Sequence, residues 1–159
     1  MFLTILKLEL AFLRRQGTTY LFFAVLFLMS FFTMTSDVIR IEGGIGVVFK
    51  NSPAVLAQTM AVLTAVGQVI TTGVVGTAIL RDVQIKAHEL LFTTRLTRLG
   101  YLGGRFTGAL LAMIAIYSAI PIGLFLGTLM PWVDHDKIQA FRLASYTHPF
   151  FILVVPTVV

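Results

Sequence analysis

The residues in this chain that could carry chemistry are few, and most of them fail on spacing. His88-Glu89-Leu90-Leu91-Phe92 fills four of the five positions of the H-E-x-x-H zinc helix. That motif works because histidines at i and i+4 grip the metal from one helix face while the glutamate activates water. Phe92 takes the place of the second histidine, so the grip is absent and the segment is no zinc site. Asp134, His135 and Asp136 are consecutive. Adjacent side chains rarely converge on one ion without further ligands, and the three read as a solvated turn. Gly43-Gly44-Ile45-Gly46 lacks the Lys-Ser or Lys-Thr that completes a phosphate-binding loop. With no cysteine there are no disulfides, no thiolate catalysis and no cysteine-based metal site. The expectation is a non-catalytic chain without cofactor or resident metal.

What remains is charge, and its placement is informative. The segment Arg81–Arg105 is an island holding Arg81, Lys86, Arg95, Arg98 and Arg105 against Asp82 and Glu89. Pro53–Leu80 before it and Phe106–Met130 after it contain no Asp, Glu, Lys or Arg. Such runs must be explained by the elements around them. The 159 residues are 57% hydrophobic and 12% charged, with a mean hydropathy of +0.92, outside the balance of a soluble domain. A helix needs ~20 apolar residues to cross ~30 Å of hydrocarbon. Thr18–Ser36, Pro53–Leu80 and Phe106–Met130 meet that length. A fourth run, Pro149–Val159, stops with the sequence, which suggests the N-terminal part of a longer protein. The fold class predicted is an all-α polytopic membrane protein: an interfacial amphipathic helix, three complete transmembrane helices and the start of a fourth.

The net charge of +5 would suggest nucleic acid in a soluble protein, but topology explains it better. Eight Lys and Arg lie in the N-terminal segment and the island, and four lie in the other two loops. This asymmetry places the N-terminus and the island in the cytoplasm. No platform of interleaved aromatic and basic residues is visible, so no nucleic acid is expected. The first 16 residues read as an interfacial helix. At about 100° per residue, Thr4, Lys7, Ala11, Arg14 and Arg15 share one face and Phe2, Ile5, Leu6, Phe12 and Leu13 the other. Glu9 falls in the apolar face. It is either an anchoring contact to a basic residue of the island or of another subunit, or a solvated carboxylate on a tilted helix. Gln16-Gly17-Thr18 breaks this helix before the first span.

Inside the spans the polar groups are Gln58, Gln68, Thr71 and Thr72 in the second and Tyr117 and Ser118 in the third. With no Asp, Glu or His there, an ion or proton relay is not expected, and the amides should bond between helices. His148 reads as interfacial. Ala54, Ala57, Ala61 and Ala65, and the pairs Gly104/Gly108 and Gly123/Gly127, suggest close helix packing. Pro121 should kink the third span. In the island, Gln84–Thr93 can form a short helix with Ala87, Leu90 and Leu91 on one stripe. Thr97 is placed to cap a new helix leading into the third span.

The run RD…HELLFTT…L…YLGGRFTGALL resembles the region after the second span in ABC-type exporter permeases of the type-2 class. Glu89, Leu90-Leu91, Thr93-Thr94, Tyr101 and Gly104-Arg105 occupy the matching places, and Glu9 on an interfacial helix also fits. The resemblance is specific over residues 81–111 and departs at Arg95, where the family most often has proline. Asn51-Ser52-Pro53 and the Pro131-Trp132 turn are similar to a bacterial subgroup, some members of which continue into an aminopeptidase-like domain. The resemblance implies a permease domain of about six spans, paired with a second copy or half and with cytoplasmic ATPase subunits that hydrolyse the ATP. It implies that residues 81–105 form the coupling loop and Val83–Thr94 the helix that meets the ATPase. The ATPase-coupling residues are then Arg81, Asp82, Lys86, His88, Glu89, Leu90, Leu91 and Thr94, with Glu9 as the contact of the interfacial helix. The implied location is the inner (plasma) membrane of a bacterium, multi-pass, with membrane lipid around it. A scaffold without ATP coupling, its basic loop on anionic lipid, is the competing reading. A membrane part of a larger protein with a peptidase domain is the other.

Overall fold

Inside a bilayer a helix pairs its own backbone groups, and the apolar runs of this chain are helical over nearly all of the residues described. The computed structural model describes residues 2–36, 49–84, 98–133 and 138–158. Among them are seven α-helices, one π-helical segment and no strand. The order is α1 (Phe2–Arg15), α2 (Gly17–Thr35), α3 (Pro53–Gln84), α4 (Arg98–Tyr117), α5 (Ala119–Thr128), α6 (Leu143–Pro149), the π segment (Phe150–Val154) and α7 (Val155–Val158). Three stretches are long and apolar enough to cross a membrane: Gly17–Thr35, Pro53–Gly73 and Gly103–Thr128. Leu143–Thr157 is a shorter apolar helix. The protein has the architecture of an all-α membrane protein.

α1 ends where the sequence breaks it. Arg14 and Arg15 occupy its last turn, where cations complement the carbonyl end of the helix dipole. Gln16 is extended, with φ −81° and ψ 115°, and α2 starts at Gly17. Beyond the break α2 is largely apolar, and the hydroxyls near its end bond within the helix. Thr33 and Thr35 donate to the carbonyls of Met29 and Phe31 at 2.7 and 3.0 Å. α3 opens with Ser52, whose hydroxyl accepts the Val55 N–H at 3.4 Å, followed by Pro53 at the first helical position.

The third span is two helices in series. The break falls at Ser118, three residues before Pro121. Proline has no N–H and its ring crowds the carbonyl four residues earlier, here Tyr117, so the helix is disturbed at that point. The fourth apolar helix starts at Leu143, six residues before the expected Pro149. Pro149 is accommodated inside it, and a π-helical turn follows, closed by the Val155 N–H on the Phe150 carbonyl.

The core lies among α2, α3, the α4–α5 span and the α6–π helix. It is built on Leu26, Leu56, Met60, Ile116, Tyr117 and Ile120, with Phe150 and Val154 from the last helix. α2 packs most extensively on α5, and α1 on α4. The third span is the most buried of the three and the first the least. Tyr20, Leu28 and Phe32 on α2 and Val62, Val66 and Val69 on α3 are exposed. In water such a surface would associate; in a bilayer it is the face presented to lipid or to further helices.

Small residues behave differently on different helices. Gly123 and Gly127 are buried against α2, where an added Cβ would lie 2.7 Å from the Phe27 carbonyl oxygen and from the Met34 Cβ respectively. Gly104 and Gly108 are buried on α4. The alanine stripe of α3 departs from the expected close packing: Ala54, Ala61 and Ala65 are exposed. The physical reason is azimuth, since α3 turns its Leu56, Met60 and Leu63 face to the core and leaves the alanines outside.

At the end of the bundle where α3 begins, one side chain joins two distant connections. The Asn51 amide donates to the Gln139 carbonyl and accepts the Gln139 N–H, both at 2.6 Å. Asn51 is buried, so it acts as a clamp between residues 88 apart. Asn51→Ala is expected to cost about 1–2 kcal/mol, the net worth of two such bonds, read as a lowered Tm in detergent.

Candidate functional site

Two layers of polar residues stand out, one at the charged island and one inside the membrane. The island is approached by helix from both sides. The apolar run of the second span ends at Leu80, yet α3 continues through Arg81 and Asp82 to Gln84. α4 starts at Arg98, directly after Thr97 and eight residues before Phe106. By the helical rise, these extensions reach about 6 Å and about 12 Å past the uncharged runs. No glycine or proline lies between Leu80 and Gln84 to stop the helix. Val83 and Gln84 continue α3, and residues 85–94 of the expected Val83–Thr94 element lie outside the described residues.

Of the residues expected at the ATPase contact, Arg81 and Asp82 sit on the last turns of α3. Lys86, His88, Glu89, Leu90, Leu91 and Thr94 lie outside the described residues. Glu9 is in α1, the helix packed on α4, and its side chain lies outside the described part. The structure thus brings α1 to the helix that leads out of the island. Asp134, His135 and Asp136 also lie outside the described residues, and no group of three metal-binding side chains occurs among those described.

Inside the membrane, α3, α4 and α7 meet at a hydrogen-bonded junction. The Tyr117 and Thr71 hydroxyls are 2.7 Å apart, and Thr71 also bonds the Gly67 carbonyl at 3.4 Å. Tyr117 is completely buried and lies against Gly67, where an added Cβ would come within 2.7 Å of its hydroxyl and 2.8 Å of its ring. One residue on, the Gln68 amide donates to the Thr157 carbonyl of α7 at 2.9 Å. The expected interhelical bonding of these amides and hydroxyls is present at Gln68, Thr71 and Tyr117, while Gln58 is exposed. Gly67 was not legible as part of the junction. The available signal was its spacing, four residues before Thr71 and so on the same face.

All members of this junction are neutral. A Tyr–Thr pair without a carboxylate or imidazole has no proton acceptor to drive transfer, so its work is positional: it fixes α3 against α4. A second neutral bridge ties α2 to the Ser118 break. Ser30, fully buried, donates to the Phe27 carbonyl at 2.9 Å and reaches the Ala119 carbonyl at 3.4 Å. Further along, Phe125, Phe141 and Tyr146 cluster with ring centroids 5.1 to 6.0 Å apart. The Tyr146 hydroxyl there is buried beside the hydroxyl of Thr128, which itself donates to the Phe125 carbonyl at 2.6 Å. His148 is exposed on α6, as an interfacial residue would be.

Comparison of the chain with family models, with curated proteins and with solved structures returned no match. The geometry therefore carries the functional argument.

Proposed function

We propose that this chain belongs to the transmembrane permease subunit of an ATP-driven exporter, of the ABC-type permeases of the type-2 class. The observation that carries the reading is the helical continuation of α3 and α4 past their apolar runs into the charged island. A segment held between two such helix ends is mechanically connected to both spans. The sequence of residues 81–111, with Glu89, Leu90-Leu91, Thr93-Thr94 and Gly104-Arg105, supports the same assignment. The interfacial α1 packed on α4 fits it as well.

In this mechanism the ATPase partner engages the island through Glu89 and its neighbours on the cytoplasmic side of a bacterial inner membrane. ATP is bound and hydrolysed in the partner. Closure of two ATPase subunits displaces the island, and the displacement enters α3 and α4 together. The Thr71–Tyr117 bond makes those helices move as a unit, and Gln68 carries the motion to α7. Access to the substrate path between this chain and a second permease copy changes as a result.

The test is purification of the full-length protein in mild detergent from its native host, with mass spectrometry and an ATPase assay. The expected result is co-purification of an ATP-binding cassette subunit with vanadate-sensitive activity. Glu89→Lys and Leu90→Ala should each weaken that association by roughly tenfold, about 1.4 kcal/mol. A protein that purifies without an ATPase, or whose partner is indifferent to both changes, points instead to a membrane scaffold whose basic loop binds anionic lipid.

A further inference from the structure

α1, α2 and α4 enclose a crevice of about 550 Å³. That volume is within the ~300–1,000 Å³ range of sites that hold organic ligands. Its walls are apolar: Leu10 from α1, Phe23 from α2, and Leu111, Ala115 and Ile116 from α4. Arg14 also lines it, together with Tyr20. Both belong to the same level of the fold, since Arg14 is in the last turn of α1 and Tyr20 is in the first turn of α2. From that level the crevice runs along α4 from Leu111 to Ser118, about 10 Å by the helical rise.

Two properties identify the occupant. The first is the shape of the chemistry: a long apolar slot with a guanidinium at the level where α2 enters the membrane. The second is charge. Lys7, Arg14 and Arg15 are all exposed on α1, and none of the described lining residues is acidic. A guanidinium presents a planar fork of donors that matches phosphate oxygens. Each methylene buried in an apolar slot contributes about 0.8 kcal/mol, so a hydrocarbon chain gains where a polar solute does not. A tyrosine at this level is the usual companion of a lipid headgroup region. We propose that this crevice binds one acyl chain of an anionic phospholipid, with the lipid phosphate paired to Arg14. The proposal is independent of the permease reading; it holds for a scaffold equally.

The proposal is tested on the full-length chain in nanodiscs of defined lipid. Phosphatidylglycerol and phosphatidylcholine, each with a photoactivatable acyl chain, are irradiated separately and the labelled peptides mapped. Phosphatidylglycerol should label Leu111–Ser118 and Thr19–Phe23 roughly fivefold more than phosphatidylcholine, whose choline cation offsets its own phosphate and repels Arg14, the effect of one cation near a headgroup of net negative charge. Arg14→Gln should bring the two lipids to the same level without removing the label. Ala115→Phe, which fills the slot, should remove it. Where Ala115→Phe fails to yield folded protein, Leu111→Phe obstructs the slot from its exposed side and serves the same purpose. Equal labelling by both lipids in the unaltered chain overturns the proposal. So does labelling that survives filling of the slot, which would mark ordinary boundary lipid, or a crosslink to a second copy of the chain at these peptides.

Discussion

Gly123→Leu should prevent α2 and α5 from docking and leave little folded protein. These two helices form the most extensive contact among the described elements, and Gly123 lies directly against the α2 backbone. Even a single Cβ at Gly123 would stand 2.7 Å from the Phe27 carbonyl oxygen and press on the Ser30 hydroxyl. The carbonyl belongs to helix backbone and cannot swing aside, so the helices must separate. Ordinary overpacking costs about 1–3 kcal/mol. A leucine placed against backbone should exceed that, and the helix propensity gained on replacing glycine, ~1 kcal/mol, does not offset it. Gly127→Ala should also destabilise, because its Cβ would lie 2.7 Å from the Met34 Cβ, which is fixed to the helix backbone; it is milder than Gly123→Leu because it adds a single carbon. Gly73→Ala is the control, since an added Cβ there meets nothing within 4 Å. Its Tm in detergent should be unchanged or raised. A Gly123→Leu protein that melts like the parent would remove the backbone contact from the account of this fold.

Tyr117→Ala comes next in size. Tyr117 is fully buried and is the largest such side chain among the described residues. Truncating an aromatic in a packed core costs about 3–5 kcal/mol, from lost burial and the cavity left behind. Tyr117→Phe separates packing from hydrogen bonding. It keeps the ring against Gly67 and removes only the bond to Thr71, so about 1 kcal/mol is expected in the Tm. Thr71 retains the Gly67 carbonyl as a partner, which keeps the loss small. If the junction transmits motion between the island and the spans, Tyr117→Phe should uncouple transport from ATP hydrolysis by more than its stability loss explains. Parallel measurement of ATPase rate, transport and Tm makes that distinction. Transport falling only in step with Tm would leave the junction a packing feature.

The features legible in the amino-acid sequence were those that depend on neighbours along the chain. The amphipathic α1, the break at Gln16, the three spans and a helix leading into the third of them follow from apolar run length, charge placement and local backbone preference. A run without charges has one stable form in hydrocarbon whatever surrounds it, so the all-α membrane class needed no tertiary information. Pro121 announced a disturbance in the third span for the same reason, and the break falls at Ser118, beside the carbonyl its ring crowds.

What could not be read were relations that depend on which azimuth each helix turns inward. Ala54, Ala57, Ala61 and Ala65 form as regular a stripe as the glycines of α5, yet Ala61 and Ala65 are exposed while Gly123 and Gly127 are buried. In an almost uniformly apolar helix the hydrophobic pattern names no preferred face, so packing partners select one. Asn51 and Gln139 are 88 positions apart, as distant in sequence as the residues of two unrelated loops, and their clamp exists because four helices bring those loops together. Gly67 and Tyr117, and the crevice beside Arg14, have the same origin. Composition and run length settle which stretches are long and apolar enough to cross a membrane and which parts carry charge; the docking of helix on helix settles which small, polar and basic side chains meet, because contact is a property of three-dimensional distance and apolar periodicity is silent about it here.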